Sequence, residues 1–241
     1  MPIQNVSTQR LYSQIADQLG DLIRSGEFKP GDRLPSERDL SQQLNVSRAS
    51  VREALIALEI YGLIVVRVGL GIFVNAAPVL NTPLTVLAEP GPFEVLAARC
   101  LVEGETAALA ALNADAQDHA RIRETLTMMA DEVQGAGTGL SADALFHVRI
   151  AEASKNGALV HLVNQLWNFR HSEMFRKLDE HFDSPARHAD AIMEHRQLAE
   201  AIERRDAPAA RAAMEAHLGR VRDALERGWE LANVAPTVPH L

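Results

Sequence analysis

The sequence predicts a mainly α protein: a winged helix-turn-helix of three helices and a β-hairpin, then an all-α bundle of six or seven helices. Three observations carry this. Two short, capped helical segments lie about four residues apart within residues 36–55. Two β-branched runs, Leu63 to Val68 and Ile72 to Val74, flank the glycine-bearing turn Gly69-Leu70-Gly71. From Phe93 onward strand signals vanish, and Ala, Leu, Glu and Arg, all good helix formers, dominate.

In the first helix Ile15, Leu19, Leu22 and Ile23 share one face, and Gly26 closes it. After Pro30-Gly31, Ser36 opens a second helix with Asp39 three residues on, a capping-box start with acidic charge at the positive helix end. Leu40 and Leu44 point inward, and Asn45 suits a stop. Ser47 then caps a third helix beginning Arg48-Ala49-Ser50-Val51-Arg52. The first residues of such a helix face base edges in the major groove. Ser47, Arg48, Ser50 and Arg52 are therefore the expected readers, with Val51, Leu55 and Leu58 packing behind. An arginine can give two hydrogen bonds to guanine O6 and N7, worth roughly 1–3 kcal/mol of discrimination. Arg38 is placed for phosphate or base, and Arg33 and Arg67 for the DNA backbone.

Residues 1–76 form this domain. Residues 77–92, with Pro78, Pro83, Pro90, Gly91 and Pro92, read as a linker holding one short helical piece near Leu84–Ala88. Residues 93–232 form the bundle, broken at 113–115, 135–139, 156–157, 183–185 and 206–208. Residues 233–241 form a tail.

Net charge is -8, and all of it lies beyond residue 76, because residues 1–76 carry eight basic and eight acidic side chains. Nucleic-acid binding must then rest on where the arginines sit, not on overall charge. No run approaches the roughly 20 apolar residues of a membrane span, and the N-terminus lacks a signal-peptide pattern. A single cysteine, Cys100, excludes an internal disulfide and fits a reducing cytoplasm.

Nine histidines occur, and three of them have suggestive spacing. Asp143 and His147 lie one turn apart on a helix face. His195 and His217 each stand eleven residues from Asp206, at the turn of a helix pair. Equal distances from a turn bring two antiparallel positions level. Asp143, His147, His195 and His217 can therefore converge as three imidazoles and a carboxylate, a set that suits zinc, with nickel, manganese or iron open.

The run Gly31 to Leu40, then Val46-Ser47-Arg48 and Val51 to Leu55, resembles the GntR family of bacterial repressors. Gly69, Gly71, Phe73 and Val74 extend the likeness across residues 8–75. The resemblance implies base contacts from Arg38, Arg48 and Arg52 and a wing tip at Gly69 in the minor groove, with Leu70 departing from the usual small polar or basic residue. The Asp143/His147 pair followed by Ile150 to Asn156, with His195, Asp206 and His217, resembles the FadR-type C-terminal ligand domain (FCD). There the four matching positions hold a metal whose coordination a small carboxylate effector completes. Arg99, in the first helix of that domain, is the expected partner of the effector carboxylate, with Trp167 and Arg170 lining the cavity. Gly91 to Leu96 and the Trp167/Arg170 pair look most like hexuronate-pathway repressors of this subfamily, implying a hexuronate or aldonate. The implied protein is a homodimeric repressor on an operator duplex. Two alternatives are a regulator for which the metal is itself the signal, and a metal-dependent enzyme acting on a sugar acid.

Overall fold

The computed structural model describes residues 10–67, 70–78, 89–135, 140–182 and 185–233. The expected helical piece at 84–88 and the wing tip at Gly69 lie outside the described residues. The chain divides into two compact units. The first comprises residues up to Phe93 with Arg176–His181 and the stretch from Glu226; the second comprises Glu94–Phe175 and Phe182–Leu225.

In the first unit, α1 (Leu11–Arg24) and α2 (Glu37–Leu44) pack on α3 (Arg48–Ile60). Ile15, Leu19 and Ile23 of α1 are buried as their spacing predicts. Ser36 and Asp39 form a full capping box, and Asn45 ends α2 in the left-handed conformation (φ 52°). Ser47 caps α3 by accepting from the Ser50 N–H. Strands β1 (Ile64–Arg67) and β2 (Gly71–Val74) pair antiparallel, with Ile64 opposite Val74 and Arg67 opposite Gly71. Leu70, at their turn, is exposed.

Helix α4 (Pro92–Asn113) begins with proline, whose missing N–H costs nothing there. The Glu53 carboxylate accepts from the Phe93 N–H at 2.9 Å, satisfying a free donor of that first turn. A β-carbon on Gly91 would lie 2.3 Å from that carboxylate, so a larger residue there would push the Glu53 side chain away from the Phe93 N–H. The remaining helices are α5 (Ala116–Gln134), α6 (Leu140–Ala153), α7 (Gly157–Asn168), α8 (Glu173–Phe182), α9 (Pro185–Glu203) and α10 (Ala207–Asn233). Among the described residues the second half thus holds seven α-helices, the upper of the two expected numbers. The sequence reading missed the break between α7 and α8, where a 3-10 turn, Phe169–His171, carries neither glycine nor proline. The core of the second unit is built from Ala107, Ala110, Ala111, Phe146, Ile150, Leu198, Ile202, Met214 and Leu218, among others. Small residues at so many of these positions let the helix axes approach closely. Among the described residues no helix is long and apolar enough to cross a membrane.

Candidate metal centre and nucleic-acid interface

Helix α6 contributes Asp143 and His147, α9 contributes His195, and α10 contributes His217, as the spacing around Asp206 predicts. All three imidazoles are buried, and one donor atom from each of the four residues lies within 4.8 Å of the others. His195 Nε2 stands 3.2 Å from His217 Nε2 and 3.3 Å from Asp143 Oδ1, and His147 Nε2 stands 3.4 Å from that oxygen. Metal bonds of about 2.1 Å at tetrahedral to octahedral angles set neighbouring ligand atoms about 3.0–3.5 Å apart. The three separations fall in that range. Asp143 Oδ1 and His147 Nε2 are buried with no hydrogen-bond partner, a costly arrangement that a cation would relieve. The four residues fit a divalent ion.

Two further carboxylates aim the rings. Glu103 of α4 meets His147 Nδ1, and Glu194 of α9 accepts from His217 Nδ1 at 2.7 Å, so both Nε2 atoms face the cluster. Arg220 in turn bonds Glu194. Burial pushes the Glu103 carboxyl up, but Arg99 and His147 outweigh it and hold it at about 2. Burial likewise opposes ionisation of Asp143, yet His147, His195 and His217 bring it well below the usual carboxylate range. His195 is pushed well down and His217 down, chiefly by burial. His147 goes the other way: burial lowers it, but Glu103 and Asp143 more than compensate.

This asymmetry has a measurable sign. The raised group keeps its proton to higher pH, and metal binding must displace that proton. Zinc affinity measured by competitive titration should fall as pH drops below the raised His147 value, by about tenfold per pH unit for the one proton displaced. His195 and His217, already neutral there, add nothing until more acidic solution. An affinity flat between about pH 5 and 8 would contradict this assignment.

Beside the cluster, Arg99 is buried with its guanidinium 4.0 Å over the Trp167 ring, whose centroid is 5.1 Å from that of His147. Arg99 Nε also donates to Glu103, four residues on in the same helix, at 2.6 Å, and this pair is buried. Arg99 Nη2 and Trp167 Nε1 remain buried donors without acceptors. Arg170 lies half-buried over the Phe175 ring at the 3-10 turn.

At the reading helix the expectations divide. Ser47, Arg48 and Arg38 are exposed and Ser50 half-buried at the openings of α2 and α3. Arg38 makes no ion pair among the described residues. Arg52 is a correction. Its side chain is 2% exposed, pairs with Glu37 through Nε and Nη2 at 2.9 Å each, and lies against Phe93. A side chain so enclosed presents nothing to a groove. Glu37, which sequence reasoning passed over, is as buried as Arg52 and also accepts from Arg48 Nε at 2.8 Å. Glu194 was missed as well; its only signal was adjacency to His195.

Comparison with known proteins places these features. Residues 11–74 match the model for bacterial regulatory proteins of the gntR family, and residues 94–220 match the FCD domain. The chain is 38% identical to the Uxu operon transcriptional regulator of Escherichia coli K12, over 95% of this chain and 90% of that one. It is 38% identical to the Exu regulon transcriptional regulator of the same strain, over 87% and 82%. A putative L-lactate dehydrogenase operon regulatory protein, also from that strain, is 32% identical over 92% and 89%. Among solved structures, E. coli McbR/YncC matches with a TM-score of 0.51 and 23% identity, over 92% of this chain and 99% of that one, a likeness of fold alone.

Proposed function

The chain belongs to the GntR family of bacterial regulatory proteins and carries an FCD domain, and from that premise we propose a homodimeric repressor controlled by a small carboxylate. It is a DNA-binding transcriptional regulator, not an enzyme, as its relatives are. The effector is a sugar acid, a hexuronate or aldonate, bound beside a divalent metal, most simply zinc, at Asp143, His147, His195 and His217. One observation carries this: the four-residue cluster lies against two buried donors, Arg99 Nη2 and Trp167 Nε1, that lack acceptors. A polyhydroxy carboxylate is rich in acceptors, and the Arg99 fork suits its anionic end. The metal, when bound, supplies a positive charge that attracts the acid. Around it Glu103 and Glu194 hold the imidazoles, and Trp167 supports Arg99 from beneath. The likeness to regulators of the Uxu operon and Exu regulon supports a sugar acid over other acids. Arg38, Ser47, Arg48 and Ser50 approach the operator, paired across a dimer on successive major grooves.

The acid can act only by binding the DNA-competent and DNA-incompetent arrangements unequally. The test is a titration of a duplex selected by the protein from a random pool, with D-glucuronate, D-galacturonate and D-gluconate added in turn. One of them should weaken binding by about tenfold or more, a usual allosteric coupling. DNA affinity unmoved by the whole panel would defeat the proposed effector class.

A further inference from the structure

Glu37 is the first residue of α2, while Arg48 and Arg52 are the first and fifth of α3. Two short helices therefore meet through one carboxylate. Glu37 Oε2 accepts from Arg52 Nε and Oε1 from Arg52 Nη2, the two-bond fork that fixes a guanidinium in plane and angle. The same Oε1 accepts from Arg48 Nε. The Glu37 and Arg52 side chains are each 2% exposed, whereas that of Arg48 is 43% exposed. Three charges thus form a chain running from the interior to the surface that meets DNA.

We propose that Glu37 is the positioning residue of DNA recognition: a buried carboxylate that locks Arg52 inside as a strut and thereby holds Arg48 in the one orientation that reads a base. Two arginines one turn apart on the reading helix then have different tasks, and the carboxylate between them assigns those tasks. Arg52 ties α3 to α2 and sets the angle at which the helix opening meets the groove. Arg48, gripped at Nε, meets a guanine with the other edge of its guanidinium, and loses the rotamer freedom that an ungripped arginine would spend on binding.

The proposal makes a prediction that charge alone does not. Removing an anion from a DNA-binding surface strengthens attraction to any duplex. Loss of positioning weakens only the preferred sequence. For Glu37→Gln, binding to poly(dI-dC) should hold or rise, while the ratio of preferred-duplex to poly(dI-dC) affinity falls by about tenfold, within the worth of one bidentate base contact. The probe is the duplex that the wild-type chain enriches from a random pool, and the motif enriched by each variant is the second readout. On an Arg48→Ala background, Glu37→Gln should cost less base preference than on the wild-type background, since the part of its effect that passes through Arg48 is already lost.

Glu37→Gln leaves a buried guanidinium without its counter-charge and can unfold the domain. The paired replacement Glu37→Met with Arg52→Met removes both charges together and takes away the Glu37 bond to Arg48 Nε. That variant should melt like the wild type yet enrich a degraded motif. Preferred and poly(dI-dC) affinities that change in parallel, or an unaltered motif from the folded double variant, would overturn the proposal. A wild-type chain that enriches no motif would overturn base reading by α3, and this inference with it.

Discussion

Replacing His195 with alanine is expected to abolish stoichiometric metal binding and to lower the melting temperature of the metal-loaded protein by about 8–16 °C. His195 is chosen because its Nε2 lies 3.2 Å from His217 Nε2 and 3.3 Å from Asp143 Oδ1, so its loss opens the cluster from within. Disturbing a residue that only orients a ligand costs about 10–100-fold in affinity, and loss of a ligand itself should exceed that. A metal present at about 1,000 times its dissociation constant stabilises the native state by about 4 kcal/mol. For a chain of this size each kcal/mol is worth about 2–4 °C. Part of any loss comes from the cavity left beside the Phe146 ring, whose centroid is 4.5 Å from that of His195. Chelator-treated wild type separates the two contributions. It should melt above the variant by the cavity contribution alone, with zinc stabilising only the wild type. A variant that keeps one zinc per chain after dialysis would remove His195 from the ligand set.

The second large effect belongs to the reading helix. Arg48→Ala should weaken binding to the preferred duplex by about 1–3 kcal/mol and relax base preference at one position. Arg38→Ala separates the two roles open to that exposed side chain at the start of α2: relaxed base preference marks a base contact, whereas an even loss on all duplexes, with the salt dependence reduced by about one counterion, marks a phosphate contact. Equal losses on preferred and random duplexes for Arg48→Ala would strike it from the base-reading set.

Much of the fold is legible because short-range chemistry writes it. Ser36 with Asp39, Ser47 with Ser50, and the left-handed Asn45 are local hydrogen-bond and dihedral solutions that residue identity announces. The metal cluster is legible for a different reason. A helix hairpin is close to a ruler, so two histidines equidistant from Asp206 meet with their Nε2 atoms in contact range. Arg52 resisted reading because helical periodicity places it on the face of Arg48 but does not say how much of that face is covered. In α3 every residue from Val51 to Leu58 is buried, so no outward side exists there for a fifth-position arginine to occupy. Glu37, Glu103 and Glu194 share this difficulty. Each is an ordinary helical glutamate in sequence, and only packing of a second helix turns it into the partner of an interior arginine or imidazole. The α7–α8 break escaped notice because the chain turns through Phe169–His171 without a helix-breaking residue.

Calorimetric titration of the favoured sugar acid into the zinc-loaded and the chelator-stripped protein bears most directly on metal-centred sensing. Saturable binding to the loaded form, with at least about a hundredfold weaker binding to the stripped form, is the predicted result. Equal dissociation constants in the two forms would place the acid elsewhere in the bundle and contradict the account.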